Sequence, residues 1–164
     1  MNSHQVIIAI DPDCEKSGIA LLSEGVDIML QSMLFPDLVN LLLEASEDGA
    51  IKSTVVVEAG WLNKSNWHLN SNDSKAVAAA KGNAVGRNHE TGRKIVEMAK
   101  YYGLEVIEVK PLSKIWSSKD GKISHAEIAY FIPNFPNRSN QETRDAALIA
   151  WNYANYPITR NCKL

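Results

Sequence analysis

The fold is decided by Val6-Ile7-Ile8-Ala9-Ile10-Asp11 and by Val55-Val56-Val57-Glu58, two uninterrupted apolar runs that each end on an acid. Continuous β-branched runs of this kind are typical of strands that are buried on both faces, at the centre of a mixed or parallel sheet. In open α/β sheets, ligands bind outside the carboxyl ends of such strands. The two acids are therefore expected together at the rim of the sheet, where they would suit a divalent cation.

The bulk composition predicts one domain over residues 1–164. A hydrophobic content of 45% supplies a sizeable core, and no apolar stretch is long enough to cross a bilayer. The first five residues lack the charged and apolar regions of a secretion signal, so we expect a cytoplasmic protein. Cys14 and Cys162 stand alone without CxxC spacing, which favours neither a disulfide framework nor a zinc site and leaves Cys14 as a turn residue.

The net charge of −2 conceals an uneven distribution along the chain. Residues 1–59 carry a net charge of −8, residues 60–122 carry +5, and residues 123–164 carry +1. A basic middle segment can face a polyanion while acidic strand ends hold a metal. An ordinary solvated surface would give the same pattern, so charge alone does not decide between these alternatives.

Turn residues and hydrophobic periodicity predict three strands, a helix, a strand, a helix, a strand and further helices. This order is typical of an α/β fold with an antiparallel edge. The predicted strands are 6–11, 19–22, 26–33, 54–58 and 104–109, and the predicted helices begin at Pro36, at Ser74, near Lys114, at Ser124 and at Ser139. Gly82, Gly86 and Gly92 are expected to break or kink the helix over 74–102, and residues 63–73, around Trp67 and His68, are predicted to form a loop.

The last predicted helix adds two acids, Glu142 and Asp145, on one face because they are three residues apart. Glu142 has an alternative role, since Ser139 to Glu142 matches a capping box in which the Glu bonds back to the cap residue. Asp145 has no such alternative and leads directly into an apolar segment. Asp11, which precedes Pro12, has an alternative as a residue that caps the next turn.

Four acids brought together would suit phosphodiester hydrolysis. Carboxylates are the ligands that Mg²⁺ or Mn²⁺ prefers, and three or four of them can hold two ions about 3.5–4 Å apart. Such a pair activates the attacking water and stabilises the charge that develops on the leaving oxygen and on phosphorus. Their predicted places, on two buried strand ends and one helix face, make this interpretation more specific than four acids alone.

Four short segments also carry a family resemblance, and they run in order along nearly the whole chain. They are Ile8-Ala9-Ile10-Asp11-Pro12-Asp13, Ser17-Gly18-Ile19-Ala20, Val56-Val57-Glu58 and Asp145-Ala146-Ala147-Leu148-Ile149-Ala150. In combination they resemble the RuvC group of Holliday-junction resolvases in the RNase H-like superfamily. Further segments that resemble this family are 85–87, 92–93, 109–111 and 121–128. The resemblance implies an RNase H-like fold, with a mixed five-stranded sheet of three antiparallel and two parallel strands flanked by helices.

The resemblance also assigns roles to individual residues. It implies that Asp11, Glu58 and Asp145 are catalytic, metal-binding acids, with Glu142 in a fourth position where the family usually has Asp or His. Trp61 falls where resolvases place an aromatic residue that stacks at the branch point, worth about 1–3 kcal/mol per base; the alternative is a core tryptophan. The residues assigned to nucleic-acid binding are Trp61, Arg87, Arg93, Lys114, Lys119, Lys122 and His125. Of these, His125 stands where a second lysine is usual, and Lys119 and Lys122 could compensate.

The function expected from this resemblance is a Mg²⁺-dependent endonuclease for branched DNA, with two ions per site. A homodimer is implied, because a four-way junction has two strands to cut symmetrically; no small-molecule cofactor and no membrane are expected. An RNA-processing nuclease of the same superfamily and a non-catalytic nucleic-acid binder are the alternatives, although acids facing phosphates give a binder no advantage. Actin-like sugar kinases have a similar first turn, but they need two such domains, for which 164 residues leave no room.

Overall fold

The computed structural model describes residues 4–23, 27–63 and 72–159. Its elements follow the order predicted from the sequence. The strands are β1 (His4–Asp11), β2 (Ser17–Ser23), β3 (Ile28–Met33), β4 (Ile51–Glu58) and β5 (Glu105–Val109). The helices are α1 (Phe35–Glu47), α2 (Lys75–Tyr101), α3 (His125–Phe131) and α4 (Gln141–Tyr153), with a short 3₁₀ turn at Gly60–Leu62.

Within the described residues, the five strands form one mixed sheet in the order β3-β2-β1-β4-β5. The β1–β2 and β2–β3 pairs are antiparallel, whereas the β1–β4 and β4–β5 pairs are parallel. The predicted fold class, with its antiparallel meander and its edge strand β5, is therefore confirmed. Strands β1 and β4 lie at the centre, as their continuous apolar runs indicated.

The sheet separates two apolar layers, because successive side chains of a strand point to opposite faces. Ala9 and Val56 pack on one face in a cluster that also contains the apolar side of α4. Ile8, Ile10 and Val57 pack on the other face, against α1 and the second half of α2. The two central strands are thus buried on both sides, and the acids at their ends are held by rigid backbone.

The predicted breaks in α2 are wrong, because this helix runs without interruption from Lys75 to Tyr101. Each glycine costs only about 1 kcal/mol relative to alanine, which the surrounding alanines and the tertiary contacts offset. The Ser74 side chain caps the helix by accepting a hydrogen bond from the Val77 backbone N–H at 3.3 Å. Buried Ile95 and Val96 fix its second half against the sheet.

The helix predicted near Lys114 is also wrong. Residues 112–121, all of which are described, form an irregular loop in which side chains and turns satisfy the backbone groups. The Trp116 N–H donates to the Gly121 carbonyl at 3.1 Å, and the Ser118 hydroxyl donates to the Lys122 carbonyl at 2.5 Å. This loop joins β5 to α3 across the carboxyl ends of the strands.

Smaller differences concern element ends and the undescribed segments. Strand β4 begins at Ile51 rather than at Thr54, and α4 begins at Gln141 rather than at Ser139. Most of the loop predicted at 63–73, including Trp67 and His68, lies outside the described residues, as do the first residue of the strand predicted at 26–33 and Cys162. In the ranges that are described, no helix has the length and apolar character needed to cross a membrane.

Candidate functional site

Parallel pairing places the first two predicted acids side by side. Ile10 of β1 is in register with Val57 of β4, so the next residue on each strand is the acid, Asp11 or Glu58. Both strands run in the same direction, and both acids therefore stand at the carboxyl edge of the sheet. This juxtaposition follows from backbone register alone.

A close approach at Gly18 brings α4 to the same edge. Gly18 pairs with Asp11 across the β1–β2 ladder, and a Cβ on Gly18 would overlap the backbone carbonyl of Glu142. Only glycine lets the first turn of α4 lie this close to β2. The contact sets Glu142, and Asp145 one turn later, beside the strand acids.

The capping-box role considered for Glu142 is wrong. The cap residue of α4 is Asn140, whose side chain accepts a hydrogen bond from the Thr143 N–H at 2.9 Å. Thr143 completes the box, because its hydroxyl oxygen accepts from the Asn140 N–H at 3.1 Å. The cap residue lies one position later than in the predicted capping box, at Asn140 rather than Ser139, so Glu142 is not used in the cap.

All four predicted acids line one cleft of about 630 Å³. Its walls come from the β1–β2 turn, the end of β4, one face of α2, the 112–121 loop and the start of α4. The other lining side chains that bear on its chemistry are Asp13, Trp61, Asn88, His89, Lys114 and Lys122. The cleft therefore combines a cluster of acids with cationic and aromatic groups.

Burial and mutual repulsion raise the pKa values of three of these carboxyl groups. The pKa of Asp11 lies well above its ordinary range, first because of burial and then because Glu58 and Asp145 repel its charged form. Burial, with repulsion from Asp145, raises the pKa of Glu58 to about 7. Burial also raises the pKa of Asp145, against a hydrogen bond from Gln141 that lowers it. A nearby cation would reverse these shifts by favouring the charged forms.

Lys122 and Lys114 supply positive charge to the cleft. Burial is the largest cause of the raised pKa values, and the charge of Lys122 acts against it by lowering the pKa values of Asp11, Glu58 and Asp145. The charge of Lys114 lowers the pKa of Glu58 in the same way. Gly121, at φ +71°, closes the loop between the two lysines, and a Cβ there would lie 2.7 Å from the Lys114 carbonyl oxygen. Of the lysines assigned to nucleic-acid binding, these two line the cleft.

The other predicted cationic residues lie elsewhere. Lys119 is exposed at the tip of the 112–121 loop, and Arg87 is exposed on α2. His125 begins α3, where its Nδ1 shares a 2.8 Å hydrogen bond with the Ser139 hydroxyl and its ring packs on Phe135. None of these three is among the described residues that line the cleft.

Trp61 packs in the apolar core and also lines the cleft. Its half-buried ring packs with the apolar layer under α2, and its indole N–H donates to a Glu108 carboxylate oxygen at 3.1 Å. The same ring lines the cleft, with the exposed Arg93 guanidinium 5.4 Å from its centroid and the His89 ring edge-on at 6.2 Å. The tryptophan is therefore fixed in place at the mouth of the cleft.

Asn88 and His89 are among the lining residues that sequence reasoning did not single out. They follow Val85, another lining residue, by three and four positions, so helical periodicity from Val85 would have placed them on one face. Asn88 binds the β1–β2 turn: its amide N–H donates to Asp13 Oδ2 at 3.0 Å, and its oxygen accepts from the Cys14 N–H at 3.1 Å. This pair of bonds ties α2 to the segment that follows Asp11.

The donor set fits a hard divalent cation by its chemistry. As the side chains stand, no group of three or more described His, Cys, Asp and Glu residues could hold a metal ion. The four acids nevertheless offer carboxylate oxygens, which Mg²⁺ and Mn²⁺ prefer, on one cleft wall. Burial, reinforced by mutual repulsion, raises the pKa values of Asp11, Glu58 and Asp145, and a cation in the cleft would favour their charged forms.

Comparison with solved structures finds two structures of RuvC from Thermus thermophilus among the matches. "T. thermophilus RuvC in complex with Holliday junction substrate" has a TM-score of 0.50 and 14% sequence identity, covering 92% of this chain and 93% of that chain. "Thermus thermophilus RuvC structure" has a TM-score of 0.48 and 16% identity, covering 91% and 93%. No protein-family model and no curated protein matches this chain. The chain therefore has the RuvC type of RNase H-like fold, which confirms the resemblance seen in the sequence at the level of the fold.

Proposed function

We propose that this protein is a divalent-metal-dependent endonuclease that hydrolyses phosphodiester bonds in branched DNA, such as four-way junctions. The observation that carries the proposal is the cleft in which Asp11, Glu58, Glu142 and Asp145 meet Lys114 and Lys122. The fold supports it, since a neighbour of the same fold was solved with a Holliday junction substrate. A resolvase of the RuvC kind, a crossover junction endodeoxyribonuclease, is the activity that combines these features.

In this proposal the four acids hold two Mg²⁺ or Mn²⁺ ions after rotating toward one another. When bound, the ions supply a more acidic attacking water and stabilise negative charge on the phosphate and the leaving oxygen. Asp11 and Glu58 stand on adjacent strand ends, so their backbone positions need not change. The raised pKa values of Asp11, Glu58 and Asp145, caused first by burial and then by repulsion, fit this role because a cation would favour the charged forms.

The lysines and the tryptophan recognise the DNA. Lys114 and Lys122 face the acids from the opposite loop, where an ammonium group can bind the scissile phosphate and hold it near the carboxylates. Trp61 is fixed by Glu108 at the cleft mouth, where its ring can stack on an unpaired base. Arg87 and Arg93, exposed on the outer part of α2, are assigned to more distant phosphates, and Lys119 at the loop tip to the same role.

A homodimer completes the proposal. A four-way junction presents two symmetrically related strands, and a pair of protomers related by a two-fold axis would present one cleft to each. Light scattering on the purified protein, alone and with a junction, measures this state. A monomer in both conditions would contradict the dimer without affecting the chemistry of the cleft.

A cleavage assay with three substrates tests the function. A synthetic four-way junction, a linear duplex of matched sequence and an RNA hairpin are incubated with the protein in Mg²⁺ or in EDTA. We expect cleavage of the junction alone, and its loss in EDTA. Cleavage of the RNA hairpin instead would establish the RNA-processing alternative, and binding without any cleavage would establish the non-catalytic one.

Asp11→Asn tests the site itself. It removes one negative charge from the acid cluster while keeping the side-chain volume, so we expect it to bind the junction and to lose cleavage by a factor of 100 or more, within the range for a group that stabilises the transition state. Asp37→Asn, an exposed residue in the first turn of α1, is the matched control and should cut like the wild type. Wild-type cleavage by Asp11→Asn would exclude this cleft as the active site.

A further inference from the structure

A chain of hydrogen bonds at the start of α4 ends on Asp145. The Gln141 amide nitrogen donates to Asp145 Oδ1 at 2.8 Å, and the Gln141 amide oxygen accepts from Arg144 Nη2 at 3.0 Å. A guanidinium group can only donate, so Arg144 determines which end of the Gln141 amide is left for the carboxylate. Both ends of the amide are thereby used, and the glutamine has one orientation.

Arg144 is itself held by three further hydrogen bonds. Its Nε donates to the Ile123 carbonyl at 3.1 Å, and its Nη1 donates to the Ser139 carbonyl at 3.1 Å and to the Ser139 hydroxyl at 3.2 Å. The same Ser139 hydroxyl contacts His125 Nδ1 at 2.8 Å. Because Ile123 directly follows Lys122, the guanidinium joins the lysine-bearing segment to the helix that carries Asp145.

We infer that Gln141 and Arg144 are positioning residues that fix the Asp145 carboxylate for metal binding, an inference that rests on the proposed nuclease function. Neither is among the described residues lining the cleft, so neither is placed to touch the substrate. They act through Asp145, whose carboxylate is held by one oxygen before any ion arrives. A pre-oriented ligand has less conformational freedom to lose on binding, and partners of this kind typically change metal affinity by about 10–100-fold.

This network also explains the place of His125. The His125 side chain contacts the Ser139 hydroxyl, which in turn accepts a hydrogen bond from Arg144. Ser139, which directly precedes the cap residue of α4, is therefore connected to α3. The lysine segment, α3 and α4 are joined through the Arg144 guanidinium and this serine. Loss of that group should affect Asp145 and Lys122 together, whereas loss of Gln141 should affect Asp145 alone.

The test compares Gln141→Met, Arg144→Met and the double variant with Arg138→Met, a control at an exposed arginine outside the network. Methionine keeps much of the length and removes the hydrogen bonds. Calorimetric titration with Mn²⁺ in the absence of DNA gives the metal affinity, and cleavage against Mg²⁺ concentration gives the half-saturating level. Junction affinity in Ca²⁺ and the thermal midpoint report DNA binding and folding separately.

We expect Gln141→Met to weaken Mn²⁺ binding about tenfold or more with junction affinity and thermal midpoint unchanged, and Arg138→Met to match the wild type. The double variant should lose no more than the more affected of the two single variants, because the hydrogen bond from Arg144 reaches Asp145 through Gln141. Gln141→Met keeps the Arg144 bonds to Ile123 and Ser139, so its Mn²⁺ affinity tests the positioning role even if Arg144→Met unfolds.

The outcomes separate this inference from the proposed function. An unchanged Mn²⁺ affinity in Gln141→Met, with a wild type that cuts junctions, overturns the positioning role and leaves the nuclease intact. A wild type that binds Mn²⁺ without cutting any substrate overturns the nuclease, and the affinity of Gln141→Met still decides the positioning role. A wild type that binds no Mn²⁺ overturns both.

Discussion

Glu58→Gln should stabilise the metal-free protein while it abolishes cleavage. Glu58 is buried beside Asp145, and these surroundings raise its pKa from an ordinary value of 4.5 to about 7. Its charged form is therefore disfavoured in the folded state relative to the unfolded chain. Glutamine removes that charge and keeps a carbonyl oxygen to accept the hydrogen bond that the Leu112 backbone N–H gives to Glu58.

The size and sign of the effect follow from proton linkage. Since the folded pKa is raised, the protonated group favours folding below pH 4.5, and this contribution is lost as the pH rises through about 7. At about 1.4 kcal/mol per pKa unit, the rise from 4.5 to about 7 makes the complete loss at most about 3–4 kcal/mol in the free energy of unfolding. Wild type and Glu58→Gln should therefore match near pH 4.5 and differ by up to that amount at pH 8.

Urea unfolding in EDTA at several pH values measures the difference directly. Glu47→Gln, an exposed residue at the end of α1, is the matched control and should follow the wild type throughout. Adding Mg²⁺ should stabilise the wild type more than Glu58→Gln, because only the wild type keeps the full set of acids. Equal stability of the two proteins at pH 8, or a gain that persists unchanged at pH 4.5, would refute the reasoning.

Three further substitutions test how the cleft is built. Gly18→Ala places a methyl group where the Glu142 carbonyl lies, so we expect the free energy of unfolding in urea to fall by about 1–3 kcal/mol. Cleavage should fall by a larger factor than junction binding, and an unperturbed variant would disprove the close approach. Trp61→Ala should lower the preference for junction over duplex DNA while Mn²⁺ binding is retained, and an unchanged preference would leave Trp61 a core residue. Lys122→Met should weaken junction binding and reduce the slope of the logarithm of the binding constant against the logarithm of salt concentration by about 1. An unchanged slope would remove Lys122 from the phosphate contacts.

Much of the fold is predictable because the central strands carry their own signal. An uninterrupted apolar run such as 6–10 or 55–57 is fully buried only in the middle of a sheet, and an acid that follows it lies at the rim. The parallel register of β1 and β4 then brings Asp11 next to Glu58 without further information. The periodicity of α4 places Glu142 and Asp145 on one face in the same way.

The errors arise where local rules compete. The capping box fits both Ser139 with Glu142 and Asn140 with Thr143, and the tertiary contact of α4 with Gly18 selects the second. The glycines of α2 are tolerated because helix propensity is a weak preference beside tertiary packing. The loop at 112–121 is set by serine hydroxyls and by the positive φ of Gly121, which hydrophobic periodicity does not report.

The network around Arg144 lay beyond sequence reasoning for a different reason. Two of the Arg144 partners are the backbone carbonyls of Ile123 and Ser139, and a carbonyl has no residue type to recognise in a sequence. Gln141 beside Asp145 is a common helical spacing that carries no signal by itself. Such contacts emerge only when α3, α4 and the lysine segment have been assembled.

A crystal structure grown with Mn²⁺ and recorded for anomalous scattering tests the central claim most directly. The claim is that four carboxylates from distant parts of the chain share cations in one cleft. We expect anomalous peaks within about 2.5 Å of carboxylate oxygens of Asp11, Glu58 and Asp145. Crystals in millimolar Mn²⁺ with these side chains ordered and no peak in the cleft would contradict it.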